Sequence, residues 1–172
     1  YVERRYEKDN YKGSDELAAQ YVPLAEQFYA TYNALDLALD NRNNELYNER
    51  MTEYQGEKRE NAVNFIEINL ITAQTIDLID PDGNTDTQKV ESNLQQITQR
   101  LNKLQPGTTP EVQNAVREYQ DSVKEFVAEA RNYIIINSSY GEAYTQLFTK
   151  YNKMISKANA VNMADLDVTE KK

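Results

Sequence analysis

The sequence predicts an all-α protein, because structural breaks are few and helix-forming residues fill the stretches between them. The 172-residue chain contains only five Gly and four Pro, whereas a β-sandwich needs a turn about every 8–12 residues. Leu, Ala, Glu, Gln, Lys and Arg, which are good helix formers, dominate the intervening segments. We therefore expect an elongated antiparallel helical bundle, two long helices flanking two shorter ones, in one domain over residues 1–172.

Composition and charge exclude several classes of function. The chain carries 19 Lys and Arg against 28 Asp and Glu, a net charge of −9, and it has neither His nor Cys. Without those two residue types there are no disulfides, no thiol or histidine catalysis, and no zinc, haem or iron–sulfur site with nitrogen or sulfur ligands. The acidic balance argues against nucleic-acid binding, which needs clustered Lys and Arg.

The first long helix is predicted by one apolar stripe. Ser14 is a candidate N-cap after an irregular N-terminal segment, residues 1–13. Pro23 lies within the stripe, so we expect a kink there or a helix that begins near Val22. Gly56 is interpreted as a C-cap with a tight reversal, and the alternative is one uninterrupted helix of about 65 residues. The stripe comprises Leu17, Tyr21, Leu24, Phe28, Tyr32, Leu35, Leu39 and Leu46.

Two shorter helices follow in the prediction. The segment 62–79 is the most apolar in the chain, which indicates a buried helix. It ends at the turn-forming residues 80–84, and a more polar helix then runs from about Asp86 until Pro106 and Gly107 stop it.

The last helix is predicted to begin at Thr109-Pro110-Glu111, an N-cap hydroxyl followed by Pro at the first helical position. Apolar residues then alternate at spacings of three and four from Val112 to Ala158, which indicates one long helix. Ser138, Ser139 and Gly141 are its weak point, where we expect a bend or a close helix contact. Residues 163–172 are predicted to be a frayed tail.

These unequal lengths leave one half of the predicted bundle short of covering helices. That half would hold residues 14–35 beside residues 135–158, and it is rich in Tyr, which suits partly wet contacts. Either these aromatic side chains pack the seam between the two long helices, or part of the surface meets another element: a partner, a second subunit or a further helix. The candidate contact surface comprises Tyr21, Phe28, Tyr32, Tyr144, Phe148 and Tyr151.

The turn after the apolar helix places oxygen ligands as a calcium loop does. Asp80, Asp82 and Asn84 alternate, and Glu91 is twelfth from Asp80. However, Gly stands at the fourth position and not at the sixth, so ordinary turn chemistry, with Thr85 or Asp86 capping the next helix, competes with a weak Ca²⁺-responsive module.

The residue inventory predicts no enzyme. Neither a Gly-rich phosphate loop nor a Ser-centred nucleophile motif is present, and we assign no catalytic, cofactor-binding or metal-binding residue. The alternative is a hydrolase that uses paired carboxylates.

Two stretches of the sequence carry a family resemblance. The first is Tyr-Glu-Lys-Asp-Asn-Tyr-Lys-Gly at residues 6–13, continued through Glu16, Leu17 and Phe28. The second is Gly141 followed by Leu147, Tyr151, Asn152, Ile155 and Asn159. Together with the apolar middle helix, they resemble the YiiG-like family of bacterial lipoproteins, which has a Tyr-rich motif near its start and a closing Tyr-Asn…Asn pattern.

The resemblance implies a helical domain of the bacterial cell envelope, periplasmic or otherwise extracytoplasmic, with no established biochemical function. It implies that a signal peptide, a lipidated Cys and a further helical stretch precede Tyr1 in the full-length protein, so that this lipid is the only membrane tether. We therefore expect a non-catalytic binding or structural module without a cofactor, whose partner is an unidentified envelope protein or a second copy of the chain.

Overall fold

The computed structural model describes residues 12–80, 84–107, 109–136 and 141–167, and these contain five α-helices and no strand. The predicted all-α class is confirmed. Within these ranges no helix combines the length and the apolar character that crossing a bilayer requires. In chain order the helices are α1 (Lys12–Gly56), α2 (Glu60–Asp77), α3 (Thr87–Leu101), α4 (Pro110–Ile136) and α5 (Gly141–Asn159), followed by a 3₁₀ helix at Met163–Asp165.

The chain divides into two compact units, Tyr1–Asn48 and Glu49–Lys172, where the sequence predicted a single domain. The boundary falls within α1. The described part of the first unit is α1 up to Asn48, and every side chain from Asp15 to Leu46 is exposed. The second unit contains the last turns of α1, the other four helices and the hydrophobic core.

The four helices of the second unit that follow α1 run alternately up and down. Later residues of one helix contact earlier residues of the next. Asn61, near the start of α2, pairs with Gln105, just after α3, and Glu67, further along α2, pairs with Arg100, near the end of α3. The same reversal relates α3 to α4 and α4 to α5, so neighbours in the chain are antiparallel. The pairs are Glu91 with Arg131 and Leu104 with Gln120, then Glu118 with Lys157 and Glu125 with Lys150.

The prediction of one long helix over residues 112–158 is wrong. The segment forms two helices, α4 and α5, which pack against each other, and residues 137–140 lie outside the described ranges. Because both helices face the same core, the apolar spacing continues across the break and hides it. Only α1, with 45 residues, is long; the others have 18, 15, 27 and 19.

The start of α1 also differs from the prediction. The helix already includes Lys12, so Ser14 lies inside it and is not the N-cap, and the part of the irregular segment that the structure describes is helical. Residues 1–11 lie outside the described ranges. The helix continues through Pro23 and does not begin near Val22.

The end of α1 is at Gly56, as predicted, and the alternative of one uninterrupted helix is wrong. However, Lys58, with φ of 57°, and not Gly56, adopts the left-handed conformation. The Arg59 N–H donates to the Tyr54 carbonyl at 2.8 Å, and the Lys58 N–H donates to the Gln55 carbonyl at 3.1 Å. This is a Schellman motif with a lysine in the position that glycine usually takes.

Replacing Lys58 by Gly is therefore expected to raise the free energy of unfolding by about 1 kcal/mol, because glycine adopts a positive φ without the steric cost that a Cβ imposes. Urea denaturation of the whole chain measures the change. The control is Lys58→Ala, which removes the same charge and keeps the Cβ. Equal stability of the two variants would contradict the explanation.

The C-terminal residues 163–167 do not form the predicted frayed tail. Leu166 is only 1% exposed and Val161 is also buried, because both pack into the core of the second unit. Residues 168–172 lie outside the described ranges. The prediction failed because the segment is mostly polar, and the one described side chain in it that is buried in the core, Leu166, was overlooked.

Candidate functional site

The six residues of the candidate contact surface belong to two separate units. Tyr21, Phe28 and Tyr32 lie on α1 in the first unit, and the three from residue 144 onward lie on α5 in the second. The prediction had set residues 14–35 beside residues 135–158. In the structure the helix that packs against α5 is α4.

The α1 stripe, Leu17 to Leu46 as defined above, is a continuous exposed apolar face. Phe28 is 65% exposed, and its ring stacks on Tyr32 with 6.5 Å between ring centroids. At 100° per residue, all eight stripe residues fall within about 80° of the helix circumference. By the same count Glu26 and Asp40 lie about 160° and about 120° from the centre of the stripe, and Asp36 lies about 80° from it. Glu26 and Asp40 therefore occupy the opposite face, and Asp36 lies just outside the edge of the stripe.

The aromatic residues of α5 form a half-buried cluster against α4. Tyr144 lies 6.4 Å from Tyr133 and 4.7 Å from Phe148, and Tyr151 lies 6.2 Å from Phe126, all between ring centroids. Tyr133 and Phe126 belong to the core. Tyr144 and Tyr151 therefore pack a seam between α4 and α5, whereas the sequence placed this seam between the first and the last helix.

One of the candidate calcium ligands, Glu91, is engaged in an ion pair with Arg131. The guanidinium of Arg131 donates to both carboxylate oxygens of Glu91, at 3.1 and 3.2 Å. Asp86 caps α3 by accepting from the Lys89 N–H at 3.0 Å, which confirms the predicted cap at Thr85 or Asp86. Asp82 lies outside the described ranges. Among the described residues, no group of three or more Asp and Glu is placed to hold a metal ion.

Among the residues that the structure describes, two carboxyl groups have clearly shifted pKa values, and both shifts favour the charged form. The hydrogen bond from Arg131 holds the pKa of Glu91 below its ordinary value. Hydrogen bonds from Lys153 and Lys150 do the same for Glu125. The general acid of a carboxylate hydrolase needs a raised pKa. Neither group supports that alternative.

A polar cleft lies in the second unit where α1 ends, α2 begins and α3 ends. Its volume is about 460 Å³, and it adjoins a second hollow that shares Lys58, Glu60, Asn64 and Lys103. Four cationic side chains line the cleft in a chain whose net charge is −9. We call this region the α1–α2 cleft. It is lined by Tyr54, Gln55, Lys58, Arg59, Glu60, Val63, Asn64, Glu67, Arg100 and Lys103.

The C-terminal segment closes one side of this region. Both carboxylate oxygens of Asp167 accept backbone N–H groups of the first turn of α2, from Asn61 and Ala62, each at 2.9 Å. Arg59 donates to the carbonyls of Met163 and Ala164, and its Nε lies 3.8 Å from Asp167. A side chain more than 100 residues away in sequence thus caps α2, whose own N-cap residue, Arg59, makes no side-chain cap.

Sequence reasoning did not find this cleft. Its residues come from three elements and carry no local motif, so only the fold brings them together. Neighbouring Lys and Arg residues in the sequence would have indicated an anion site. However, the cationic residues at 58–59 are about 40 positions away from those at 100–103.

Comparisons of the chain with protein-family models, with curated proteins and with solved structures give no match.

Proposed function

We propose that this chain is a non-catalytic binding module of a bacterial envelope lipoprotein, and that it works by pairing α1 with α1 of a second copy. The observation that supports the proposal is the exposed α1 stripe, from Leu17 to Leu46. Soluble monomers rarely leave so long a contiguous apolar face in water, and such faces mark interaction sites. The envelope location rests on the resemblance to the YiiG-like family.

The spacing of the α1 stripe suits another helix as the occupant. Steps of three and four residues connect Leu17, Tyr21, Leu24 and Phe28, as in the seam between two paired helices. Burying these side chains stabilises the pair by about 25 cal/mol for each Å² of apolar surface that is removed from water. Tyr21 and Tyr32 add rings that pack while their hydroxyl groups stay hydrated.

The placement of charge favours a second copy over a basic partner. A surface that binds a basic partner would place acidic groups beside the apolar face, but Glu26 and Asp40 lie on the far side of α1, and Asp36 lies just outside the edge of the stripe. Two acidic copies with a net charge of −9 each could therefore meet along the stripe with few opposing carboxylates at the contact. Arg42, which lies between Leu39 and Leu46 on the stripe, pairs with Glu45 at 3.0 Å.

The test is the oligomeric state of the whole chain, measured by sedimentation over a concentration series. We expect a concentration-dependent dimer, and we expect Phe28→Glu to weaken it by about 100-fold, since a buried unpaired charge costs several kcal/mol. The matched control is Leu37→Glu, on the opposite face of the same helix at 62% exposure. This control is expected to leave the dimer unchanged.

A wild-type chain that stays monomeric at about 100 µM would overturn the second copy as occupant, because helix pairing of this length is expected to reach micromolar affinity. Equal weakening by Phe28→Glu and Leu37→Glu would place the contact elsewhere. Circular dichroism of each variant checks that α1 remains helical. A lipobox Cys upstream of Tyr1 in the full-length gene product would establish the proposed compartment.

A further inference from the structure

We infer that the α1–α2 cleft binds a small organic anion, whose charged group is held by Lys58, Lys103 and the side-chain amide of Asn64. This inference does not rest on the proposed function, because all these residues belong to the second unit and none lies on the α1 stripe. The residues are contributed by the α1–α2 connection, by the second turn of α2 and by the segment just after α3.

The two lysines are available to a ligand. Within the part of the chain that the structure describes, neither Lys58 nor Lys103 forms an ion pair, although both line the cleft and the adjoining hollow. The two arginines of the cleft differ, because Arg100 pairs with Glu67 and Arg59 is held by the C-terminal segment. The two arginines are therefore held in place by protein groups at the side of the cleft, and the two lysines are the cations that can pair with an anion.

The buried amide of Asn64 points independently to a ligand. Its side chain is only 9% exposed, it lines both hollows, and no hydrogen bond joins it to any other described residue. A buried amide without a partner costs free energy, so such groups are rare unless a ligand or water completes them. Asn69, five residues further along α2, shows the contrast: its amide donates to the Phe65 carbonyl at 2.9 Å.

The size and lining of the cleft favour an anion with an organic part. A volume of about 460 Å³ is within the range of small-molecule sites. Tyr54 and Val63 supply apolar surface beside the cations, and the Arg59 guanidinium lies 4.4 Å from the centroid of the Tyr54 ring. A bare inorganic ion would leave this surface unused.

Glu60 also lines the cleft and opposes an anion. It forms no ion pair within the described ranges, so its charge acts against the lysines directly. Removing this charge by Glu60→Gln is expected to tighten anion binding about threefold. A site that had no preference for anions would not respond in this way.

The experiment is a titration of the ¹⁵N-labelled whole chain, followed by amide chemical shifts, with phenyl phosphate, benzoate and inorganic phosphate as probes. We expect shifts confined to residues near 54–67 and 100–105, and tighter binding of at least one aromatic probe than of inorganic phosphate. The comparison of phenyl phosphate with benzoate tells which anionic group the lysines prefer. Lys103→Gln is expected to weaken binding about tenfold, and the matched control is Lys89→Gln, an exposed lysine of α3.

Lys58→Gly separates binding from folding, because we expect it to stabilise the chain and yet to weaken binding about tenfold. The inference is overturned if no probe shifts these amides at about 10 mM in either the wild type or Glu60→Gln. It is also overturned if Lys89→Gln weakens binding as much as Lys103→Gln, or if inorganic phosphate binds as tightly as both aromatic probes. A failed dimer test would leave these outcomes unchanged, so the two proposals fail separately.

Discussion

Replacing Leu166 by Ala is expected to lower the free energy of unfolding by about 3 kcal/mol, the usual cost of truncating a buried leucine. Leu166 is 1% exposed and lies in the core cluster, although only one described residue, Asp167, follows it. Its burial holds Asp167 in place against the first turn of α2. The variant therefore loses apolar packing and weakens the α2 cap together.

Urea or thermal unfolding of the whole chain measures this effect. The control is Ile135→Ala, which removes a similar aliphatic side chain at 79% exposure and is expected to cost less than about 0.5 kcal/mol. If Leu166→Ala destabilises no more than the control, the C-terminal segment does not contribute to the core as described.

Truncation of Tyr119 is expected to be more damaging still. Its ring is fully buried and lies 4.7 Å from that of Phe65, between centroids, and its hydroxyl donates to Oδ1 of Asn69 at 3.2 Å. Tyr119→Ala should lower the free energy of unfolding by about 4 kcal/mol, because it leaves a ring-sized cavity where α2 meets α4.

Tyr119→Phe divides this effect into its parts. It keeps the ring and removes only the hydrogen bond, so we expect a loss of about 1–2 kcal/mol as the Asn69 oxygen becomes a buried acceptor without that donor. Denaturant unfolding of both variants gives the comparison. Equal losses would show that the hydroxyl, and not the ring, carries the stability, contrary to this account.

Much of the fold was predictable from local signals. A cap of α3 at Thr85 or Asp86, Pro110 at the start of α4 and Gly56 at the end of α1 were all predicted from residues within a few positions of each boundary. The break between α4 and α5 was not, because apolar spacing records which face is buried and not which helix buries it. Gly141, flagged as a weak point, is in fact the first residue of α5.

The candidate sites differ in the same way. The α1 stripe is a repeat along one helix, so the sequence revealed Tyr21, Phe28 and Tyr32. The α1–α2 cleft joins Lys58 to Lys103 across two helices, and the docking of Asp167 depends on a single buried leucine in a polar segment. Such long-range pairings have no periodic signature in the chain.

The capping of α2 by Asp167 changes what amide hydrogen exchange in the first turn of α2 measures. Amide protons in the opening turn of a helix ordinarily exchange with solvent within moments, because nothing in the helix accepts them. The amide protons of Asn61 and Ala62 are instead hydrogen-bonded to the carboxylate of Asp167. The rate of deuterium uptake at these two positions should therefore report how often residues 161–167 detach from the remainder of the second unit.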